Sequence, residues 1–303
     1  MSKLAPIFVI IAAALWGVDG IVLRPILYTL PVTLVVFIET TIVAVILTPF
    51  FIKNFALIKI LKPKDWLAFI GVALFGGAIG TMAITKALFY VNYVNLSIVV
   101  LIQKLQPVFA VTFAAILLKE HLNKTFYLWA GTAVIGAYLM TFGLHMPVLN
   151  ASDKTNLAVF FAVIATISFA LSTVFSKRAI KNVDFKLATY LRFLITSGIM
   201  LIIVLSSGLI WNANTVSVKQ SVVFLIIAFS TGGPAIFMYF YGLKRISASV
   251  ATICELSFPL TAIILEYILR GNILGPVQWI GVIILLNSII RVTYLKTEKN
   301  RNK

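Results

Sequence analysis

The sequence predicts an all-α integral membrane protein of ten transmembrane helices, built as two inverted five-helix repeats with both termini in the cytoplasm. Composition, the spacing of apolar stretches and a weak internal repeat lead to this fold class. The 303 residues are 61% hydrophobic and 11% charged, with a mean hydropathy of +1.07. Soluble domains carry about 25% charged residues. A soluble globular enzyme is therefore excluded.

The distribution of charge and the few cysteines and histidines exclude three further classes of protein. Lys and Arg number 25 against 9 Asp and Glu, which gives a net charge of +16, but most of the chain is uncharged, unlike the charge-rich surfaces that bind nucleic acid. Cys254 is the single cysteine and His121 and His145 are the two histidines. A disulfide framework and a Cys/His metal cluster are thus excluded, and we expect neither a metal nor another cofactor.

Ten apolar stretches have the length of roughly 20 residues that crosses the hydrocarbon core of a bilayer. They cover residues 4–24, 32–52, 66–91, 94–118, 126–144, 157–177, 186–207, 220–243, 246–269 and 273–294. The strands of a membrane barrel are about half as long and alternate in polarity, so all ten are predicted helices. The first stretch resembles the core of a signal peptide, but it lacks a clear cleavage site and is interpreted as an uncleaved span. The gaps are too short for a soluble domain, so the function must lie in the helical bundle.

Basic residues between the predicted helices set the orientation in the lipid bilayer. With a cytoplasmic N-terminus, 18 Lys and Arg residues fall on the inner side and 4 on the outer side. Cytoplasmic loops of membrane proteins carry such an excess. Both termini are therefore predicted inside, in the cytoplasmic membrane, and the net charge needs no nucleic-acid partner.

An internal repeat appears when the chain is shifted by about 152 residues. Gly80 then falls on Gly232, Ser97 on Ser249, Pro107 on Pro259 and Ala110 on Ala262; with two residues removed from the next loop, Trp129 and Gly131 meet Trp279 and Gly281. Since each half holds an odd number of spans, the second copy enters the membrane from the opposite face. We expect a first repeat over 1–145, an external linker over 146–156, a second repeat over 157–295 and a basic cytoplasmic tail over 296–303.

Several short motifs resemble those of the drug/metabolite transporter superfamily, EamA type, over about 5–295. They are Leu15-Trp16-Gly17, the glycines 71, 76, 77 and 80, Leu105-Gln106-Pro107, Lys119-Glu120, Gly131, Gly136, Pro259 and Gly281. The resemblance implies a transporter but no particular substrate, since members move amino acids, amines, sugars, nucleotide derivatives and drugs. Two positions depart from the pattern. Glu39 replaces an arginine that is common in the second span, although its repeat partner Arg192 is basic, and the second half lacks a Lys-Glu copy.

Ionisable residues inside apolar spans are candidates for function, because each costs roughly 2.5–3.5 kcal/mol at the bilayer centre on insertion scales. Lys104 and Glu255 lie near the predicted midplane on repeat-related helices. They could form a buried ion pair that fixes helix register, or line a polar cavity and hold a charged solute. In the second case Lys104 would bind a carboxylate and Glu255 an ammonium, as an amino acid requires.

Other residues complete the predicted site. Asp19, Glu39 and Lys86 lie in the outer half of the membrane and are expected to pair mainly with one another. Gln103 at the midplane and Tyr90 near a span end are further candidates for contact with a solute, although helix association and interface anchoring also explain them. Pro107 and Pro259 are predicted to kink their helices and to act as hinges, or to form static kinks.

The predicted function is secondary transport of a small organic metabolite by alternating access around a midplane cavity. An amino acid, or a related zwitterion or amine, is the expected substrate, with export the expected direction and a proton or another ion as a coupling partner. A channel or a helical scaffold is the alternative. An intramembrane enzyme would need a catalytic dyad that the spans lack, and ATP-driven transport would need a nucleotide-binding loop that is absent from the sequence. The oligomeric state is left open.

Overall fold

The computed structural model describes residues 4–51, 58, 61–90, 99, 102–145, 153–271 and 274–299. These residues form helices and connecting turns, and no strand occurs among them. Within these ranges nine helices are long and apolar enough to cross a membrane, and a shorter apolar helix, Gln106–Leu117, stands between the third and the fourth of them.

We number the helices in chain order as α1 to α10, counting as one helix any segments that follow each other without a loop. Their bounds are α1 Ala5–Val18 with Asp19–Leu23 and Arg24–Leu27, α2 Val32–Phe51, α3 Pro63–Gly71 with Val72–Ile79 and Gly80–Tyr90, α4 Gln106–Leu117, α5 Lys124–Phe142, α6 Asp153–Ala179, α7 Phe185–Ser206, α8 Val218–Ile227 with Ala228–Gly232 and Gly233–Arg245, α9 Ala248–Cys254 with Ser257–Arg270, and α10 Pro276–Lys299. A short 3₁₀ helix, Leu209–Thr215, follows α7.

The helices coincide with the predicted spans apart from their ends. The N-terminal part of the predicted span 94–118 falls largely on residues outside the described ranges, and α4 represents the remainder. Helix α6 begins at Asp153, inside the predicted linker, and α10 runs to Lys299, inside the predicted tail. Helices are not obliged to end where the hydrocarbon ends, so polar residues at both places continue the helical turns.

Besides the π-helical segment of α1, irregular turns fall at related places in the two halves. Helix α3 contains a π-helical segment at Val72–Ile79 and α8 contains one at Ala228–Gly232. A turn at Lys104–Leu105 precedes α4, and a turn at Glu255–Leu256 divides α9. Irregular backbone at membrane depth is tolerated only where protein or a cavity surrounds it, so these turns mark the interior of the bundle.

The sequence predicted that Pro107 and Pro259 kink continuous helices, and they do not. Each lies in the first turn of the helical segment that follows a break. A proline at such a position removes only an N–H that has no intrahelical partner. The breaks themselves lie two to four residues upstream of the prolines.

The packing of the helices repeats between the two halves. Helix α1 packs on α8 and on α9, and α6 packs on α3 and on α4. Helices α2 and α7, α5 and α10, and α4 and α9 also pack against each other. Exchanging every helix for the one five positions away leaves this set of pairs unchanged.

Helices α5 and α10 cross at two glycines. A Cβ atom on Gly136 would lie 2.7 Å from the backbone N of Leu285, and one on Gly281 would lie 2.8 Å from the carbonyl oxygen of Gly136. Only glycines allow the two backbones to approach this closely, as in other membrane helix pairs. Neither helix lines the two cavities described below.

Polar contacts join the ends of several helices on the side predicted to face the cytoplasm. The Glu120 carboxylate accepts hydrogen bonds from the backbone N–H groups of Ala248 and Ser249, at 2.9 and 3.2 Å, at the start of α9. Arg178 at the end of α6 forms an ion pair of 3.3 Å with Asp65 at the start of α3. A carboxylate at a helix N-terminus and a cation near a C-terminus are both favoured by the helix dipole.

Candidate functional site

Two adjoining cavities of about 130 and 120 Å³ open between the helices. Arg24, Glu39, Thr40 and Phe193 belong to the walls of both. The first cavity is completed by Trp16, Asp19, Val43, Ile227, Thr231, Gly232 and Ile236. The second is completed by Val36, Gly76, Gly77, Thr81, Arg192 and Thr196. Their walls therefore come from α1, α2, α3, α7 and α8.

A cluster of three charged side chains stands where the two cavities meet. Arg24 donates to Asp19 Oδ2 from Nε at 2.8 Å and from Nη2 at 2.7 Å, and its Nη2 also lies 3.3 Å from Glu39 Oε2. The winding of α1 explains the first contact. Asp19–Leu23 is π-helical, and the backbone N–H of Arg24 donates to the carbonyl of Asp19, five residues before it. A π turn thereby brings residues five apart to one side of the helix.

Hydrogen bonds surround the carboxylate of Glu255 at the break in α9. Tyr239 donates its phenolic O–H to Oε1 at 2.7 Å, Thr173 donates to the same oxygen at 3.4 Å, and Gln106 Nε2 donates to Oε2 at 3.1 Å. These donors come from α8, α6 and α4 respectively. Helices from both halves of the chain therefore meet at one half-buried carboxyl group.

Two side chains connect the Glu255 cluster with the cavities. Arg192 lines the second cavity and interacts electrostatically with Glu255 and Tyr239. Trp16 lines the first cavity, and its ring lies 5.3 Å from the ring of Tyr239. Cavities, aromatic rings and both carboxylate clusters thus form one polar and aromatic region in the interior of the bundle.

Of the two alternatives for Lys104 and Glu255, the direct ion pair is not formed. Lys104 is buried, with 7% exposure, but the three ion pairs among the described residues do not include it. Gln103 beside it is half-buried. The sequence places Lys104 and Glu255 at a similar depth in the membrane. Depth does not determine the direction in which a side chain points around its helix. At Glu255, neutral donors take the place that the sequence suggested for the lysine.

Lys86 and Tyr90 lie together, away from the cavities. The Lys86 ammonium stands 5.4 Å from the centroid of the Phe161 ring, and the Tyr90 ring stacks on the same phenylalanine at 5.7 Å. The expectation that Lys86 would pair with Asp19 and Glu39 is therefore wrong. Arg24 is their partner instead.

The residues that sequence reasoning missed are those whose role depends on local winding or on neutral hydrogen bonding. Arg24 follows an apolar stretch and looks like an interface residue until the π turn places it beside Asp19. Thr173 is one of several hydroxyl residues on α6 and carries no distinguishing signal. The available signal for Arg24 was its opposite charge, five residues from an intramembrane aspartate.

This arrangement suits the binding of an organic molecule. Among the described residues, no group of three or more His, Cys, Asp or Glu side chains could hold a metal ion. The aromatic rings offer surfaces for stacking, and the hydroxyl, amide and guanidinium groups offer hydrogen bonds. Concave sites of this mixed character are typical of small-molecule binding.

Comparisons with known proteins identify a transporter family and a shared fold. The profile of the EamA-like transporter family matches residues 3–142 and 156–294. A protein of Fusobacterium nucleatum subsp. nucleatum named riboflavin transporter ImpX is 42% identical over 95% of this chain and 97% of its own length. An uncharacterized transporter of a Synechocystis strain, sll1164, is 25% identical over 80% of this chain and 70% of its own. One crystal structure, with 15% sequence identity, superposes with a TM-score of 0.74 over 98% of both chains and therefore shares the fold.

Proposed function

The chain belongs to the EamA-like transporter family, and from that premise we propose that it carries riboflavin or a closely related flavin across the cell membrane. It is thus a multi-pass membrane transporter and not an enzyme, which also sets aside the scaffold and channel alternatives. The observation that carries the substrate proposal is the 42% identity, over nearly the whole of both chains, to a protein named riboflavin transporter.

The chemistry of the cavity walls supports a flavin. Riboflavin combines a flat aromatic ring system with a chain of hydroxyl groups, and it has no ammonium or carboxylate group. Trp16 and Phe193 provide rings in the first cavity, while Thr40, Thr231 and Arg24 provide hydrogen-bonding groups for hydroxyl and carbonyl oxygens. The amino-acid substrate expected from the sequence depended on Lys104 and Glu255 holding opposite ends of a zwitterion in one cavity, and neither residue lines the two cavities described above.

Alternating access between two inverted repeats is the mechanism we propose. The family profile matches the chain twice, over 3–142 and 156–294, close to the predicted repeats. The exchangeable set of helix pairs and the matching breaks in α4 and α9 also support it. In this scheme both termini are cytoplasmic, the cavities are part of a central site near the midplane, and the breaks before Pro107 and Pro259 are the places that bend.

The experiment is a binding and transport assay with purified protein. Stacking of riboflavin on Trp16 should quench flavin fluorescence, and vesicles that contain the protein should carry riboflavin with saturation and accelerated exchange. We expect Trp16→Ala to weaken binding by about tenfold, since stacking of a base on an aromatic side chain is worth roughly 1–3 kcal/mol.

Trp129→Ala is the matched control. Trp129 lies on α5, where Arg291 stands 5.6 Å from its ring, and it lines neither cavity, so riboflavin affinity should remain that of the unaltered protein. Competition by amino acids, combined with no response to riboflavin, would reject the flavin proposal. Comparing preloaded with empty vesicles tests the predicted direction, export.

A further inference from the structure

The charges around the cavities do not balance. Asp19, Glu39 and Arg24 line the first cavity, so this wall has two acids for one cation. Arg192 is the additional cation of the second cavity, and the carboxyl group of Glu255 lies close enough to interact with it electrostatically. Three carboxyl groups therefore face two guanidinium groups in a region of low dielectric constant, where an uncompensated charge is costly.

The imbalance falls on Glu39. Asp19 receives two close contacts from Arg24, at 2.7 and 2.8 Å, and a hydroxyl donor from Thr231 at 3.4 Å. Glu39 receives one contact of 3.3 Å on Oε2. The Glu39 side chain is 12% exposed. Its other oxygen, Oε1, is buried and has no hydrogen-bond partner among the described residues. A proton on this oxygen would remove the surplus charge and supply a donor.

No other cation of the surrounding helices compensates Glu39. Helices α3 and α8 contribute only neutral groups to the two cavity walls. Lys86 of α3 is exposed and lies over Phe161, and Lys104 lines neither cavity. Arg192 of α7 shares the second cavity with Glu39 but forms no ion pair with it.

The geometry assigns Glu39, held beside Arg24 and Asp19, as the binding site for a proton whose movement is coupled to transport. When Glu39 is ionised, Arg24 contacts carboxylates on both α1 and α2 and so links these helices electrostatically. When Oε1 takes a proton from cavity water, Asp19 is the remaining carboxylate partner of Arg24, and the attraction between Arg24 and α2 is weakened. Each transport cycle thereby exchanges one proton, and the proton alters a contact between two helices that form the cavity wall.

The first test rests on the proposed flavin transport. Vesicles with a trapped pH-sensitive dye, clamped at zero membrane potential, receive a riboflavin gradient. The unaltered protein should move protons with riboflavin. Glu39→Gln should lower the number of protons moved per riboflavin at least tenfold, because the amide cannot take up and release the proton. The ratio is compared at equal riboflavin flux, so that an effect of the variant on riboflavin binding does not enter it.

Asp65→Asn is the matched control, since Asp65 also pairs with an arginine, Arg178 at 3.3 Å, but lies outside both cavities. It should retain the ratio of protons to riboflavin of the unaltered protein. Riboflavin transport without proton movement, a requirement for sodium in place of protons, or undiminished proton flux in Glu39→Gln would each overturn the assignment.

A second measurement does not depend on the substrate. Infrared difference spectra of the purified protein during a pH titration should contain a carboxylic-acid carbonyl band that Asp65→Asn keeps and Glu39→Gln removes. A Glu39→Asp variant should keep the band if the glutamine variant does not fold. Absence of the band from the unaltered protein would overturn the proton site. If riboflavin is not transported but the band is present, the flavin proposal fails and the proton site stands.

Discussion

Single residues in the interior of this bundle neutralise buried charge by different means. Asp19 is compensated by an arginine five residues away, whereas Glu255 is held by a phenol, a hydroxyl and an amide. Hydrogen bonds from neutral donors to a carboxylate, as at Glu255, are charge-assisted and stabilise it without a counter-ion. The carboxylate of Glu255 therefore does not depend on Lys104.

A double-mutant cycle tests this independence. We expect Lys104→Met and Glu255→Gln to have additive effects on the free energy of unfolding, within about 0.5 kcal/mol, because groups without contact do not couple. Unfolding in mixed micelles supplies the four free energies. Asp65→Asn with Arg178→Met is the reference cycle, since that ion pair is formed and should show clear coupling. A coupling energy above about 1 kcal/mol between Lys104 and Glu255 would reinstate the ion pair.

The candidate site could be predicted in part at this scale. Asp19, Glu39 and Glu255 stand out because a carboxylate in an apolar stretch is rare, and all three lie in the polar interior. Their partners could not be predicted. The side of a helix that a residue faces depends on the winding before it, and a single π turn shifts that direction.

At the scale of the helices, the length of the apolar stretches was sufficient to predict where they lie. The breaks in α4 and α9 were indicated by prolines, yet they lie upstream of them, because a proline also fits the first turn of a helix. The close crossing of α5 and α10 was suggested by Gly136 and Gly281 in the sequence. The sequence did not indicate which helices cross at these glycines, since that depends on contacts between distant parts of the chain.

Enlarging one glycine of this crossing should separate α5 and α10. A Leu at Gly281 would meet the backbone of Leu139 and Met140, and overpacking typically costs about 1–3 kcal/mol. We expect Gly281→Leu to lower the melting temperature and the yield of monodisperse protein. Gly131→Leu on α5 is the control, because nothing lies within 4 Å of a Cβ built there. Equal melting temperatures for the two variants would contradict the crossing.

At the scale of the whole molecule, the two halves of the chain do not form separate bodies. Helix α1 packs on helices of the second half, α6 packs on helices of the first half, and Glu255 has donors from both. The duplication was detectable in the sequence through a few aligned glycines, prolines and tryptophans. The packing of helices from one half against the other could not be predicted, because a repeat shows which segments are similar and not which segments are in contact.

The orientation in the membrane is tested by labelling in whole cells. In a background where the buried Cys254 is replaced by Ser, a cysteine at Lys154 should react with an impermeant thiol reagent added outside. A cysteine at Arg301 should react only after the membrane is permeabilised, because the basic tail is predicted to be cytoplasmic. The reverse pattern would invert the proposed orientation while leaving the fold unchanged.

The π turn in α1 also bears on how the chain can change in length. A π turn is an α-helix that has taken up one additional residue, and it lies between Asp19 and Arg24. Deleting one residue there would leave the two charges four apart in an ordinary α-helix, still on one side. Deleting one residue between Arg24 and α2 would instead change the span available to the chain that connects them. Within this helix, the turn at Asp19–Leu23 is where the sequence can lose a residue and keep its charges on the cavity wall.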